Sequence, residues 1–521
     1  MPTIHNYDII TFGDEVPGIL ALVCAAREYY RQTNKYPRSL LLFKGNSQLG
    51  IGGHLVRGGL SYLDRSAVPL PLRLSLKLDT FGDPSAIYKE FLQRAGVIKI
   101  ALDAIKADQV LREMLQEIKA EIIDNIEIKE VNVRWRKIAS VKLTNGEIYQ
   151  SKQFIDSTVN AELAQFAGVK KLKGFETFGL AESELSVTLT FQTQGLSIET
   201  LKNLESNYLK RFTNPLDVEA QKLINIAAGG DANFANELRK DFVDQKGALK
   251  TMIVGTDYID IRSKAISIAY HSFRGTSLNL KKSGAILDNG NVAILSGDRL
   301  SWNALLYDVN ADQAEALARA KAQPTTQMLN EMTFVAKWFK SIGAKAVQPA
   351  SELYIRHAGN VTGAVDILTG AEMLGGGVPA TEALGSFGYH FDVRGGIKDL
   401  GNRAAQKGFE NLLTLNPPLF NIGIKHALMK NVANLAVVSP CSGFEGYAAS
   451  CGRIVEFDCV VAQGVGIAAA LAILRNSNLA DISNQQVQTI LEQTGRLSKI
   501  YGANYVAQAT QLNQFERQMT A

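Results

Sequence analysis

Cysteine is scarce: the 521-residue chain has four, Cys24, Cys441, Cys451 and Cys459. That is too few for a disulfide scaffold, and no CxxC pair offers a zinc site. Reduced thiols in a cytosolic protein are the expectation. Charge of one sign is scarce too. The 55 Lys+Arg against 51 Asp+Glu leave a net charge of +4. Neither nucleic acid nor a polybasic membrane contact is therefore expected. The N-terminal MPTIHNYDIITFGDE has no basic stretch ahead of an apolar run, so it does not read as a signal peptide. The most apolar late stretch, Val455 to Leu474, contains Glu456, Asp458, Gln463 and two glycines, which argues against a membrane span. HExxH, GxSxG and Walker A patterns are missing, so hydrolase, kinase and metalloenzyme readings have no support and no metal site is expected. The chain reads as soluble and cytoplasmic.

What is present is ordinary globular material. Hydrophobic residues make up 46% and charged residues 20%, which suits a sizeable core and excludes wholesale disorder. The length predicts two to four domains, or one large domain with an insertion. Residues 7–12 (YDIITF) read as a buried strand ending at Gly13. Residues 18–32 have helical periodicity, and 39–43 (SLLLF) form a second buried strand. This is a βαβ unit with a right-handed crossover and a parallel sheet. Two helical patterns follow in 84–124, the second being ADQVLREMLQEIKAEII. Short strands then lead back to the sheet at Phe154-Ile155-Asp156, past a hairpin signal at Asn145-Gly146.

Residues 185–360 change texture. SVTLTFQTQ and KAISIAYHSF read as strands, and Asp312–Lys321 and Thr325–Ser341 as helices. Parallel-sheet texture returns from Val432, with NLAVVSP as a strand and VVAQGVGIAAALAIL as a helix. The fold class is α/β: a Rossmann-like parallel-sheet domain at 1–170 and 385–475, an inserted α+β domain at 171–384, and a helical tail at 476–521.

One turn carries the chemistry. Gly13-Asp14-Glu15-Val16-Pro17-Gly18 matches a dinucleotide fingerprint at the first and third glycines, with Glu15 in place of the middle one. A carboxylate beside a pyrophosphate is unfavourable unless it points away or finds a cation. Lys44 stands where the second strand ordinarily ends in an acid that holds ribose hydroxyls. Further glycines crowd the loop Leu49-Gly50-Ile51-Gly52-Gly53-His54-Leu55-Val56-Arg57-Gly58-Gly59. Backbone of that kind lies against something flat or anionic. Gln463-Gly464-Val465-Gly466 is expected at a helix start, after Cys451-Gly452-Arg453, where a helix dipole favours an electron-rich group.

With these segments the chain resembles the FAD-dependent oxidoreductases of the glutathione-reductase-like superfamily, the group with one FAD domain and an inserted substrate domain. The resemblance covers residues 7–475 and implies an FAD cofactor. It would set Gly13, Glu15, Pro17 and Gly18 at the pyrophosphate and Lys44 at the adenosine ribose. Gly52, Gly53 and His54 would face the ribityl chain and flavin, and Val131 would offer its backbone to adenine. Ser157 and Thr158 would form the turn over the cofactor, with Arg453 nearby. Gln463, Gly464 and Gly466 would lie under the pyrimidine edge.

His54 reads as either a covalent flavin attachment or a hydrogen-bonding histidine. At the end of an expected strand, ELYIRH, Arg356 suits a bidentate clamp on an anionic substrate, and His357 an acid/base; the bland alternative is a structural arginine. In GYHFDVRGG, strand alternation would put His390, Asp392 and Arg394 on one face at a domain junction. A solvent-facing ladder is the alternative. Cys441 and Cys451 read as buried thiols rather than a redox pair. The function implied is hydride transfer from a small-molecule substrate to flavin N5, with reoxidation by O₂ or a carrier. The competitors are a flavin monooxygenase and a redox-inactive scaffold of this fold that binds an isoprenoid or a protein.

Overall fold

The computed structural model describes residues 3–393, 396–409 and 415–520. Arg394 lies outside them. A seven-stranded sheet forms the body of the molecule. Its strands are β1 (Ile4–Phe12), β2 (Ser39–Leu42), β3 (Glu121–Ile123), β4 (Ile128–Arg134), β5 (Lys137–Leu143), β6 (Ile148–Asp156) and β7 (Leu435–Val437). Their spatial order is β3-β2-β1-β6-β5-β4, with β7 also on β6. β1 is parallel to β2 and β6, and β7 is parallel to the end of β6. β4 and β5 form an antiparallel hairpin against the start of β6. The second half of β1 is buried, as its apolar run requires of a strand covered on both faces.

Gly13 ends β1 with φ +93°, a region that disfavours side chains. α1 (Val16–Thr33) follows, with proline in its first turn and Asn34 closing it in the left-handed conformation. A second long helix, residues 455–475, lies against α1. Gly466 is the contact point: a Cβ there would stand 3.0 Å from the Ala25 nitrogen.

The insert builds a second, antiparallel sheet of six strands. Their order is Ala346–Pro349, Val187–Gln194, Arg299–Tyr307, Ala285–Leu295, Tyr258–Asp260, Ile253–Val254. Its core stacks Phe191 on Trp302 at 5.9 Å, with Phe339 edge-on to both. Hydrogen bonds tie this cap to the body. The Tyr62 hydroxyl donates to Asp260 Oδ1 at 2.6 Å, and the Lys99 amide to Asp257 Oδ2 at 2.9 Å.

Four expectations need correction. KAISIAYHSF is a helix, Ala265–Arg274, because Ile268 and Tyr270 pack with the helices beside them rather than alternating across a sheet. The stretch EII belongs to β3, since the preceding helix stops at Glu117. ELYIRH pairs only at Tyr354, through an isolated bridge to Thr188. GYHFDVRGG is not a strand at 389–393, so alternation does not set its faces; the strand there is Ser386–Gly388.

Candidate functional site

Parallel strands that leave β1 in opposite directions open a crevice at their carboxyl ends, between β1 and β6. The turns that line it are locked together. The Ser157 amide donates to the Phe12 carbonyl at 2.7 Å. A Cβ on Gly13 would stand 2.7 Å from the Ser157 carbonyl carbon, and one on Gly18 would overlap the Ser157 side chain. Both glycines thus serve the close approach of helix and strands. Asp156 holds the next turn, accepting from the Thr158 amide at 2.9 Å, the Thr158 hydroxyl at 2.7 Å and the Ala164 amide at 2.8 Å. Burial raises its pKa to about 6.

Between these turns and cap segments 318–322 and 352–355 lies a cavity of about 80 Å³. Ligand pockets for small molecules run to about 300–1,000 Å³, so what fills this crevice matters. Four carboxylates line it, from Asp14, Glu15, Glu162 and Glu352, together with Lys44, Arg57 and Lys321.

Two of those acids take the backbone of the glycine loop. Asp14 Oδ2 accepts from the Gly52 amide at 3.0 Å and the Gly53 amide at 3.3 Å. Glu15 accepts from the His54 amide at 3.2 Å and pairs with His54 Nδ1. Glu15 is the N-cap of α1, yet its side chain makes no capping bond there. It turns instead to the short helix α2 (Gly53–Val56). Gly52 has φ +130° and Gly53 φ +50°, and a Cβ on Gly53 would overlap the Glu15 carboxylate.

Arg57 neutralises the remainder. It donates to both oxygens of Asp14, to Glu352 Oε1 at 2.7 Å and to the Gly50 carbonyl at 2.8 Å. Burial would raise the Asp14 pKa, but Arg57 and the two amides outweigh it and hold the carboxyl below its usual value. Burial, helped by Asp14 and Glu15, pushes Glu352 up to about 7 despite Arg57.

His54 stacks on Tyr354 at 5.1 Å, and its buried Nε2 has no hydrogen-bond partner among the described residues. Tyr354 accepts from Arg453 Nη1 at 3.2 Å, and Arg453 pairs with Asp392 at 2.7 Å. A buried polar chain thus runs from Glu15 through His54, Tyr354 and Arg453 to Asp392. Asp458 is buried too, and burial together with Glu15 raises its pKa well above the ordinary value.

The crevice brings together Gly13, Glu15, Lys44, His54, Ser157 and Thr158. Lys44 pairs with Glu127 at 3.0 Å and Glu162 at 3.1 Å. Pro17 and Gly18 sit in the first turn of α1. Val131 lies on β4 opposite Val141, and is not among the crevice residues. Gln463, Gly464 and Gly466 are mid-helix, since that helix begins at Val455. Gln463 accepts from the Ile87 amide at 3.1 Å, and both glycines make room for neighbouring elements.

Arg356 is 2% exposed and donates to the Ser186 carbonyl at 2.9 Å and Thr188 Oγ1 at 2.7 Å, which takes up the guanidinium inside the cap. His357 pairs with Glu184 at 2.6 Å and stacks on Phe175 at 4.6 Å. His390 is exposed beside Tyr389. The four candidate catalytic groups therefore do not face one cavity. Asp14, Arg57, Glu352 and Tyr354 were not legible as site residues. Arg57 and Glu352 are 295 positions apart, and a polar contact of that span leaves no periodic signal.

Residues 49–491 match the family model described as FAD dependent oxidoreductase. The matched residues include the Gly52-Gly53 pair but not the turn at 13–18 or Lys44. No curated protein matches the chain in sequence. Among solved structures, the chain is similar to a geranylgeranyl bacteriochlorophyll reductase-like protein from Thermoplasma acidophilum. Identity there is 10% over 99% of this chain and 90% of that one, with a TM-score of 0.37. The halogenase PltM aligns at 11% identity over 94% of this chain and 73% of that one, TM-score 0.36. L-proline dehydrogenase from P. horikoshii aligns at 9% over 95% of this chain and all of that one, TM-score 0.35.

Proposed function

The chain belongs to the FAD dependent oxidoreductase family, and on that premise we propose a dehydrogenase- or oxidase-type flavoprotein of the glutathione-reductase-like class. FAD is the cofactor of the family, and the backbone frame of this site suits it: a strand-end crevice, a tight turn at Gly13, and a glycine loop whose Gly52, Gly53 and His54 amides already bind anionic oxygens, those of Asp14 and Glu15. The observation that carries the reading is that frame in a chain whose family is oxidoreductase. Bound FAD would supply hydride acceptance and pass electrons to O₂ or a carrier. The chain's own residues would position the substrate and manage the proton. Tyr354 and Arg453, braced by Asp392, continue the polar chain behind the crevice. His54, whose Nε2 has no hydrogen-bond partner among the described residues, is the proposed proton-handling group. A small organic molecule is the proposed substrate.

The test is an absorbance spectrum of purified protein with FAD, followed by anaerobic additions. Flavin bands that bleach with an organic donor but not with NADPH alone support the proposal. Bleaching by NADPH with O₂ consumption on substrate addition would make it a monooxygenase. A redox-inactive scaffold is the second reading, favoured by the carboxylates of Asp14 and Glu15 in the crevice. A colourless protein that binds no added FAD would establish that reading instead.

A further inference from the structure

We infer that Glu15, with Asp14, occupies the seat that the pyrophosphate of FAD takes, so that carboxylate and cofactor compete for the same backbone amides. The inference rests on the FAD reading above and deepens it. Three observations carry it. First, the loop amides are spent: those of Gly52 and Gly53 on Asp14, and that of His54 on Glu15. An anion at these donors is the interaction a phosphate would make. Second, Gly53 is shaped to the carboxylate. Any Cβ there would collide with Glu15, so the side chain rests where only a glycine admits it. Third, two of the three cations that line the crevice are already engaged, Lys321 being the other. Arg57 is divided between Asp14 and Glu352, and Lys44 between Glu127 and Glu162.

Two carboxylates and a pyrophosphate cannot share these amides. Asp14 is locked by Arg57 and buried at 5% exposure. Glu15 is the less anchored member: it is half-buried, and its contacts are the His54 amide and imidazole. FAD entry therefore requires Glu15 to leave the glycine loop. Glu15 is thus the residue that sets cofactor affinity in this chain.

The experiment is an FAD titration, followed by quenching of flavin fluorescence, of the full chain as wild type, Glu15→Gly and Glu15→Gln. Removing the competitor should tighten FAD binding at least tenfold in Glu15→Gly, with Glu15→Gln between it and wild type. In parallel the FAD-free Glu15→Gly protein should melt lower than wild type, yet gain more on saturation with FAD. Wild type that binds FAD as tightly as both variants, or more tightly, overturns the inference and leaves the FAD reading standing. Glu15 would then be a bystander or itself a part of the seat. Failure of all three proteins to bind FAD overturns the FAD reading, and the inference with it. Should Glu15→Gly fail to fold, Glu15→Gln alone decides, because it keeps the side-chain volume and removes only the charge.

Discussion

Arg57 is the residue on which the crevice depends. Its guanidinium, 4% exposed, is the shared partner of two buried carboxylates. Truncating one partner of such a pair leaves uncompensated charge in a low-dielectric site, at a cost of about 3–5 kcal/mol. Arg57→Ala should therefore lower the unfolding free energy read from urea titration by an amount in that range. A loss near zero would show that Asp14 and Glu352 find solvent once released. Asp14 supplies the reason to expect a large effect. Arg57 and two backbone amides hold this buried carboxyl below its usual value, so it loses its compensating charge when Arg57 is removed. At this scale the sequence reveals residue types but not partners. Gly13, Gly52 and Gly53 announce themselves because backbone conformation is a local demand. Asp14 is legible only as part of a damaged fingerprint, because the arginine that justifies it is 43 positions away.

Among the elements, the C-terminal helix α3 (Val506–Thr520) shows how a tail becomes core. Leu512, Phe515 and Met519 are buried, and Phe515 meets Phe178 at 6.0 Å and Tyr447 at 6.3 Å. Glu516 enters with them. It accepts from the Tyr447 amide at 2.8 Å and crowds Gly370 and Gly446. Burial raises its carboxyl from 4.5 to about 7, against the pull of those amides. A carboxyl whose folded pKa exceeds its unfolded one holds its proton more tightly when folded. Its stabilising contribution is complete below about pH 4.5 and is lost as the pH climbs to about 7. Relative to wild type, Glu516→Gln should therefore gain melting temperature across that interval and run parallel above it. A constant difference at every pH would contradict this.

The elements also show where periodicity informs and where it fails. β1, α1 and β2 were readable because a buried run, a glycine and an amphipathic stretch follow in sequence. The helix at 455–475 was recognised, but its start was misplaced by five residues, from Val455 to Val460, and its glycine pair was set at its N-terminus rather than mid-helix. Its N-cap is Ile454, with no side-chain cap, and it is buried on all sides. An all-apolar helix has no polar face whose beginning marks a boundary. This helix has the length and hydropathy to cross a membrane, but 94% of its apolar window is buried in the fold.

For the whole molecule, the two sheets are joined where the site is. The Thr190 hydroxyl donates to the Gly58 carbonyl, the Ser301 hydroxyl to the Gly59 carbonyl at 3.3 Å, and the Ser351 amide to the Arg57 carbonyl at 3.1 Å. The cap is thus bonded to the loop that shapes the crevice. Body and cap should unfold together. Trp302 and Trp338 are buried in the cap, whereas Trp135 is 94% exposed on the hairpin of the body. Tryptophan fluorescence, dominated by the cap, should give the same urea transition as far-UV circular dichroism. Two separated transitions would show that the cap is an independent unit.

The place of β7 and the 455–475 helix has a consequence for synthesis. α1 also packs on β1, β2 and β6, but its largest contact is with a helix that begins at Val455, where Gly466 meets Ala21, Cys24 and Ala25. At about 5–20 residues per second, the ribosome delivers that partner roughly 20–85 s after α1. For that interval the largest contact surface of the first helix is uncovered. The nascent chain is therefore a client for chaperones that shield apolar helices near the exit tunnel, until its last fifth is made.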